Sequence, residues 1–494
     1  MRVLHDGTHK TRVNHLVKCR DKLRSPGVRE KHVQLRSNRS KNQIPISILA
    51  DFSRAHRLVK IIQAEWAMLS CKLRPGSTWV NCVGTFGISS AAYWWARLAG
   101  ALMRLIFGIL GEDWPMEALL FADDVDFEAA DERERTAVVL SIFLMLVFGA
   151  PMKNAKFRGG FRVQWIGLFF DNKNYSLGLS PSRAKWLVEW IKEKLKDGRV
   201  STREMAGGLG RLNFAATALY HERAWLGPLY SWVSAIIRAE KAVVDIPWGI
   251  RLFLHWIASR LEGGCELMAA PEIPTEEGDM FRSDAKAEAG RAFVGGWETR
   301  FSKDTKKCKW YYFELTAEEA PWVFSKENDP GRVIAALELL GTILCIILFD
   351  IRSDKHMRGG CSVTGLTDNQ SNSFAVIKGM STKYPLAPLL IELSEQMRHR
   401  SLDLRLTWVS RNDNVEADAI TNQDFTLFDS ELRVPVKYSD IKWLALDRVL
   451  DSSKEIFDKV VAQREERKLL KEGSASFCFK GNKFKSGLKR SAPW

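Results

Sequence analysis

The spacing of apolar and polar residues along the chain predicts strands and helices in alternation over its first part. The run IPISILADF at 44–52 is rich in Ile and ends beside an acidic residue, which is typical of a buried strand. The stretch SSAAYWWARLAGALMRLIFGIL at 89–110 has apolar residues at helical spacing and predicts one long helix. A hairpin over Ala118 to Phe127, a helix, and a strand pair over Phe161 to Phe170 follow. Residues 1–179 are therefore expected to form an α+β domain.

The pattern changes near Ser180, which predicts a domain boundary. Ser180 is expected to be the N-cap of a helix with Pro181 at its first position, since proline is well tolerated there. A second helix is expected from Ser201, where Glu204 completes a capping box. Residues 180–275 are therefore expected to be rich in helix.

From residue 276 onward, strands alternate with helices, which predicts an α/β domain over 276–430. The remaining residues, 431–494, contain no recognisable motif; they predict a charged helix and a basic, poorly ordered tail. Two apolar runs, at 137–150 and 339–349, are shorter than the ~18–20 residues that a membrane span requires. Both are interpreted as buried core.

The formal net charge of +14 favours a polyanionic partner such as nucleic acid, although a solvated basic surface alone would give the same charge. The basic segment up to about Lys41 is expected to lie on the surface or to be partly ordered, where it could contact phosphate. The eight cysteines form no C-x-x-C pair, so neither a disulfide scaffold nor a zinc site is expected. An intracellular location, cytoplasmic or nuclear, follows, and secretion is not expected because the N-terminus lacks an apolar signal.

A first carboxylate cluster is expected at a hairpin turn. Asp123 and Asp124 are adjacent within FADD, and Asp51 ends the strand upstream. Paired carboxylates suit Mg²⁺, and two such ions about 3.5–4 Å apart serve nucleotidyl transfer. Acidic pairs in exposed turns are common, so Asp51 is what favours a metal site over a plain turn.

A second carboxylate cluster is expected in the C-terminal half. Its members are Asp284, Glu338, Asp368 and Asp418, and Glu338 lies within the apolar helix AALELLGTIL. Burying a glutamate there is unfavourable unless it is paired or bound to metal. A solvated position at the rim of the helix is the alternative.

Five segments of the chain, in order, resemble motifs A to E of the reverse transcriptase palm: ADFSRAH, TFGISSAAYWW, FADD, PMKNAKF and WIG. The resemblance implies a right-hand polymerase palm. It also implies that Asp51 and Asp123 bind the metal ions, that Asp124 completes the acidic set, and that Phe86 and Gly87 line the pocket for template and nucleotide.

The same resemblance implies roles for residues around this cluster. His56 takes the place of the bulky side chain that selects deoxynucleotides by blocking a 2′ hydroxyl. Lys153 or Lys156 would assist the leaving pyrophosphate, although either lysine taken alone is more often a surface residue. About fifty residues precede Asp51, fewer than the family's fingers subdomain usually needs, which implies partial fingers in a truncated copy.

The second set resembles RNase H of retroelements, with TDNQSN after the third acid and W-V-x-R-x-x-N-x-x-A-D leading to the fourth. The resemblance implies that all four carboxylates hold Mg²⁺ ions that activate a water and stabilise the RNA leaving oxygen. The helper histidine of cellular RNases H is missing, because no His follows His399, and Arg411 and Asn414 lie in the shortened loop. The helices with Trp186, Trp190 and Trp225 resemble a thumb and connection, although such tryptophans are usually core.

Together, these resemblances imply an RNA-directed DNA polymerase with RNase H activity from a retrotransposon, of the tyrosine-recombinase (DIRS-like) group. The implied cofactor is Mg²⁺, two ions per site, with Mn²⁺ as a substitute. The implied partners are an RNA template, a DNA primer, an RNA–DNA hybrid, deoxynucleoside triphosphates, and an integrase or recombinase of the same element, with no membrane. A truncated element that retains only RNase H activity and an inactive nucleic-acid-binding remnant remain the alternatives.

Overall fold

The chain folds into a mixed α/β structure with many helices and several separate sheets. The computed structural model describes residues 13–19, 21, 23–85, 87–263, 266–268, 278–351, 361–435 and 437–472. It divides into two compact units, Met1–Leu177 and Gly178–Trp494. The division lies beside Ser180, where the sequence pattern changes.

The first unit contains the predicted elements in the predicted order, and the long helix covers the predicted residues; a helix at Val28–Ser40 and four short strands are present in addition. Its elements are α1 (Val13–Leu16), α2 (Val28–Ser40), β1 (Ile46–Asp51), β2 (Ser70–Arg74), β3 (Ser77–Val80), α3 (Ser89–Leu110), β4 (Glu117–Phe121), β5 (Asp124–Ala129), α4 (Glu132–Val147), β6 (Arg158–Gly160), β7 (Arg162–Trp165), β8 (Leu168–Asp171) and β9 (Ser176–Leu179).

An antiparallel sheet in the order β4-β5-β1-β6 forms the centre of the first unit. The helices α3 and α4 share an apolar core with it, in which Trp95, Val125 and Phe127 are almost fully buried. This burial fixes the register, because a slip by one residue would turn the apolar side chains of β5 away from the helices. The register places Asp51 opposite Asp124.

One apolar run behaves differently from the expectation that it is buried core. In α4, the side chains of Val139, Phe143, Leu146 and Val147 are each at least half exposed. The opposite side of the helix, with Ala137, Val138 and Met145, is the buried one. The expectation for 137–150 is therefore wrong for about half of its large apolar residues.

The basic N-terminal segment is also placed differently from the expectation. Lys31 of α2 is fully buried; its Nζ donates to Asp126 at 2.5 Å and also to Glu128. Asn38 donates to the second oxygen of Glu128 at 2.9 Å. A surface position is therefore wrong for Lys31, because β5 carries two buried carboxylates on the side that α2 covers, and these require a cation.

The second unit contains the remaining helices and strands. Its elements are α5 (Pro181–Asp197), β10 (Arg199–Ser201), α6 (Thr202–Ala218), α7 (Leu226–Arg238), β11 (Val243–Asp245), α8 (Trp248–Gly263), β12 (Glu266–Met268), β13 (Phe281–Glu288), β14 (Arg291–Glu298), β15 (Trp310–Leu315), α9 (Ile334–Leu348), β16 (Cys361–Thr367), α10 (Gln370–Lys378), α11 (Leu386–His399), β17 (Leu402–Trp408), α12 (Val415–Thr421) and α13 (Leu446–Glu472).

The predicted helix starts at 180 and 201 are confirmed, but the second cap is only half of a capping box. Ser201 Oγ accepts the backbone N–H of Glu204 at 3.2 Å. The carboxylate of Glu204 binds Lys194 Nζ at 2.8 Å instead of returning to the cap. The tryptophans of this region are mainly core residues, with Trp190 and Trp225 buried.

A five-stranded sheet in the order β15-β14-β13-β16-β17 forms the α/β part of the second unit. β13, β16 and β17 run parallel, whereas β14 and β15 are antiparallel to their neighbours. The helix over Pro330–Leu348 is long and apolar enough to cross a membrane, but most of it is buried. Since α9 packs against β13 and β14, the interpretation of 339–349 as buried core is confirmed.

The C-terminal helix α13 is anchored by one buried carboxylate. Glu392 of α11 accepts the backbone N–H groups of Leu444, Ala445 and Leu446 at 3.1, 2.7 and 2.8 Å. A carboxylate at a helix N-terminus satisfies amides that lack partners within the helix and interacts favourably with its dipole. The charged helix predicted for this region is present, whereas the basic tail at 473–494 lies outside the described residues.

Candidate metal centres

A tight turn holds the first carboxylate cluster. Ala122 and Asp123 are the only residues between the paired ends of β4 and β5, where Phe121 lies opposite Asp124. Ala122 adopts a positive φ of 54°, which is unfavourable for a residue with a Cβ. The indole Nε1 of Trp95 on α3 donates to the carbonyl of Ala122 at 2.8 Å. Helix α3 thereby supports the turn that presents both aspartates.

Two lysines bind the carboxylate of Asp51. This side chain is almost fully buried; Lys153 Nζ donates to one of its oxygens and Lys156 Nζ to the other. Burial alone would raise the pKa of Asp51, but the hydrogen bonds from Lys153 and Lys156 hold that pKa below its usual range. The first cluster therefore contains its own cations.

The neighbouring aspartates complete this cluster. Burial, together with the negative charges of Asp123 and Asp51, raises the pKa of Asp124 to about 6. Within the part of the chain that the structure describes, these three carboxylates do not come together as closely as those of the second cluster. The negative charges around Asp124 favour a proton or a cation beside its carboxylate. The two lysines on Asp51 neutralise part of that negative charge.

The other predicted residues of the first unit lie around the start of α3 and the end of β1. His56 is half-buried in a short helical turn, Ala55–Leu58; burial lowers its pKa and the charge of Asp123 opposes that shift. Gly87 lies in the turn before α3, and its carbonyl accepts the side-chain amide of Asn14 at 2.7 Å. Phe86 lies outside the described residues.

The second cluster brings three of the four predicted acids together. Asp284 of β13, Glu338 of α9 and Asp368 at the end of β16 each offer a carboxylate oxygen, and these oxygens lie within 4.8 Å of one another. Asp284 and Glu338 are buried, and Glu338 Oε2 has no hydrogen-bond partner among the described residues. Such an unpaired buried oxygen is unfavourable unless a cation is bound there.

Close packing of helices on the sheet produces this convergence. A Cβ at Gly296 would lie 2.7 Å from Cys345 Sγ of α9, and a Cβ at Gly295 would lie 2.5 Å from Ile420 of α12. Glycine at both positions lets α9 and α12 lie directly on opposite faces of β14. Asp368 follows the carboxyl end of β16, an edge of parallel strands where ligands commonly bind.

The electrostatics of this cluster differ from those of the first. Burial, and then the charges of Asp368 and Asp418, raise the pKa of Asp284 to about 7, against a hydrogen bond from Thr421. Burial, and then Asp284 and Asp368, raise the pKa of Glu338 well above its usual range. Burial likewise raises the pKa of Asp368. These carboxylates repel one another; the charge of Arg411 opposes all three shifts, but none of the three acids forms an ion pair with a described lysine or arginine.

Asp418, the fourth predicted acid, lies outside the group of three. Arg411 Nε donates to its Oδ1 at 2.9 Å, and Arg411 Nη2 donates to the same oxygen. Asn422 Nδ2 donates to its Oδ2 at 2.7 Å. Asn414 donates to the carbonyl of Ser283 at 3.2 Å and so ties the loop to β13.

Two features of these sites escape sequence reasoning. Thr421 Oγ1 donates to Asp284 Oδ2, and the backbone amide of Ala285 acts against the rise in the pKa of Glu338. Both effects depend on α9 and α12 packing on β13, and the sequence carries no sign of them. The joint binding of Asp51 by Lys153 and Lys156 has a weak signal, because both lysines fall within the short segment PMKNAKF.

Comparison with known proteins gives only distant structural likeness. No protein-family model matches the chain, and no curated protein matches it. A foamy viral protease-reverse transcriptase dRH in complex with double-stranded DNA is similar over 80% of this chain, at 14% identity and a TM-score of 0.41. A foamy viral protease-reverse transcriptase in complex with an RNA/DNA hybrid is similar over 74%, at 14% identity and a TM-score of 0.37. The matches span 62% and 44% of those longer chains.

Proposed function

We propose that this chain is a nucleic-acid-processing enzyme with separate metal-dependent centres for nucleotidyl transfer and for hydrolysis. The first unit would act as an RNA-directed DNA polymerase at Asp51, Asp123 and Asp124. The second unit would act as an RNase H at Asp284, Glu338, Asp368 and Asp418. This is the activity of a retroelement reverse transcriptase, and the tyrosine-recombinase group is the proposed lineage.

The observation that carries this proposal is the convergence of Asp284, Glu338 and Asp368 with an unpaired buried oxygen on Glu338. Ligand oxygens on opposite sides of a Mg²⁺ ion are about 4 Å apart, so small movements would let the three carboxylates coordinate one ion. All the donors are carboxylate oxygens, which hard divalent cations such as Mg²⁺ and Mn²⁺ prefer. The residues therefore fit the proposed cofactor.

A divalent ion bound there would supply an activated water and stabilise the charge that develops on a cleaved phosphodiester. The residues of the chain would perform the rest. Thr421 orients Asp284 through its hydroxyl. Buried, oriented carboxylates need little rearrangement when an ion binds, which favours rapid hydrolysis.

For the first unit, the proposal rests on the tight turn and the pairing of β1 with β5. The turn presents Asp123 and Asp124, and the register brings Asp51 opposite Asp124. Ion binding there would require Lys153 and Lys156 to release Asp51. A released lysine would then be available for the phosphates of a deoxynucleoside triphosphate, the role that the motif resemblance implies.

The proposed partners are an RNA template, a DNA primer and the RNA–DNA hybrid that they form. The net charge of +14 supports a polyanionic partner, because cationic side chains release counterions when they bind phosphates. An integrase or recombinase of the same element is a further proposed partner.

A second candidate function is an RNase H without polymerase activity. The observation that favours it is the binding of both lysines to Asp51, which leaves that carboxylate neutralised by the protein itself. In this alternative the first unit binds nucleic acid and the second unit alone performs chemistry.

The experiment uses the purified chain with Mg²⁺, a DNA primer on an RNA template and labelled deoxynucleotides, and follows primer growth and RNA cleavage in one tube. Both activities are expected. Cleavage without extension would support the RNase H alternative. If neither activity appears while the hybrid binds tightly, the enzyme proposal is wrong and the chain is a binding remnant.

A further inference from the structure

Arg411 binds the fourth acid of the second centre, and its charge also acts on the three acids that converge. It lies in the short helical turn Arg411–Asp413 before α12, and about 70% of its side chain is exposed. Its Nε and Nη2 both donate to Asp418 Oδ1, while Asn422 donates to Asp418 Oδ2. Both oxygens of Asp418 are therefore engaged by the protein.

Asn422 is itself held in place. Lys286, two residues after Asp284 on β13, donates to Asn422 Oδ1 at 2.8 Å. Asp418 thus lies in a chain of contacts from Lys286 through Asn422 to Arg411. By contrast, Glu338 is 5% exposed and its Oε2 has no partner among the described residues. Three of the four acids form no ion pair with a described lysine or arginine, whereas Asp418 is paired with the guanidinium of Arg411.

We infer that Arg411 supplies the second positive charge of this centre, so that the second unit binds one divalent ion where four free carboxylates would bind two. This inference rests on the proposed RNase H function. A second ion would need an oxygen of Asp418, and it would have to approach a guanidinium that is bound to the same carboxylate. Like charges at such short range repel strongly, so binding of the second ion is disfavoured.

The geometry also leaves Arg411 able to contact substrate. A guanidinium presents N–H donors on Nε, Nη1 and Nη2, and the pair with Asp418 uses only Nε and Nη2. Because most of the side chain is exposed, Nη1 can donate to a phosphate oxygen while the pair with Asp418 stays intact. Arginine suits this role because its planar fork binds anionic oxygens with defined geometry and keeps its charge. Arg411 would then position both Asp418 and a phosphate of the hybrid.

The test counts Mn²⁺ ions bound to the full chain by isothermal titration calorimetry. Every protein compared carries Asp123→Asn with Asp124→Asn, so that the first cluster adds little to the number of bound ions. With Arg411 present, one ion per chain is expected; Arg411→Gln should bind two over the same concentration range. The matched control is Arg291→Gln, which breaks an exposed arginine–carboxylate pair with Glu314 outside the cluster and should still bind one.

The outcomes separate the two proposals. Two ions with Arg411 present, or one ion in Arg411→Gln, would overturn the role of Arg411 and leave the RNase H proposal standing. No bound ion in any variant, including Arg411→Gln, would overturn both. As a second readout, Arg411→Gln should lower the slope of log hybrid affinity against log salt concentration by about one, the effect of losing one phosphate contact. An unchanged slope would exclude the contact.

Discussion

The two carboxylate clusters meet the same electrostatic problem in opposite ways. In the first unit, Lys153 and Lys156 bind Asp51, and the buried Lys31 binds two further carboxylates on β5. In the second unit, Asp284, Glu338 and Asp368 converge, and none of the three forms an ion pair with a described lysine or arginine. One cluster is ion-paired with lysines of the fold. Among the described residues, the other has only the nearby charge of Arg411, which is paired with Asp418, and it otherwise depends on protons or on a cation from solution.

This difference identifies the cluster whose state depends more on metal. Buried carboxylates repel one another unless a cation or a proton is present. For the first cluster, the free energy of neutralisation is part of folding. For the second cluster, that free energy depends on the pH and the metal concentration of the solution. Metal and pH should therefore change the stability of the second unit more than that of the first.

The largest expected effect comes from removing the built-in cation of the first unit. Lys31→Met leaves Asp126 and Glu128 buried without their partner, so the free energy of unfolding should fall by ~3–5 kcal/mol. Urea denaturation measures this change. The control Lys41→Met, at an exposed lysine that follows α2, should change stability by less than ~0.5 kcal/mol. A loss of that small size in Lys31→Met as well would show that the buried cation is dispensable.

The next effect is stabilisation of the second unit by metal. Mn²⁺ at about a hundred times its dissociation constant should stabilise the chain by ~2.7 kcal/mol, because the folded site binds the ion and the unfolded chain does not. Glu338→Gln should remove most of this gain, which thermal denaturation with and without Mn²⁺ would detect. The exposed Glu318→Gln is the matched control. Equal stabilisation of Glu338→Gln and the unmodified chain would place the ion elsewhere.

The pH dependence of stability should have opposite signs at Asp284 of the second cluster and Asp51 of the first, whereas Asp124, with its raised pKa, should follow the sign of Asp284. Asp284 has a pKa of about 7 in the fold against an ordinary value of 3.8, so the folded chain binds a proton that the unfolded chain has released. Without metal, its contribution to stability therefore falls as pH rises from about 4 to about 7. The pKa of Asp51 is held below 3.8, so its contribution is present above about pH 4 and is lost in more acidic solution.

Urea denaturation at a series of pH values, without metal, checks these signs. Asp284→Asn should make the decline between about pH 4 and 7 shallower, since Glu338, Asp368 and Asp124 still contribute to it, and Asp51→Asn should reduce the loss of stability in acid. If the two variants kept the profile of the unmodified chain, neither carboxylate would carry the shift assigned to it.

The smallest expected effect is a change in the metal affinity of the first cluster when its lysines are removed. Lys153→Ala with Lys156→Ala removes both cations from Asp51, so Mn²⁺ should bind the first cluster about tenfold more tightly, which corresponds to ~1.4 kcal/mol. Calorimetry in an Asp284→Asn background isolates this site. The exposed Lys185→Ala with Lys196→Ala is the control. Unchanged affinity would mean that the lysines do not compete with metal.

Local sequence patterns predict much of this architecture. The helical spacing in SSAAYWWARLAGALMRLIFGIL gives α3 with its observed bounds, and the hairpin around FADD follows from strand-forming residues on both sides of a tight turn. The resemblance of the ordered acids to those of RNase H implies the convergence of Asp284, Glu338 and Asp368, but it also implies that Asp418 joins them, which it does not do in the group of three.

The remaining features depend on contacts between residues distant in sequence. Lys31 is one basic residue among many in its segment, and only the packing of α2 on β5 separates it from surface lysines. Glu392 anchors α13 through backbone amides some fifty residues away, which no local pattern reveals. Asp418 fits the family motif, yet its pairing with Arg411 depends on how the loop folds back against the carboxylate.

The most direct test of the account compares primer extension and RNA cleavage in two variants, with Mg²⁺ and an RNA template carrying a labelled DNA primer. Asp123→Asn with Asp124→Asn should abolish extension and leave cleavage, whereas Glu338→Gln should abolish cleavage and leave extension. RNA cleavage that survives Glu338→Gln, or primer extension that survives the double aspartate change, would contradict the assignment of separate chemistry to the two clusters.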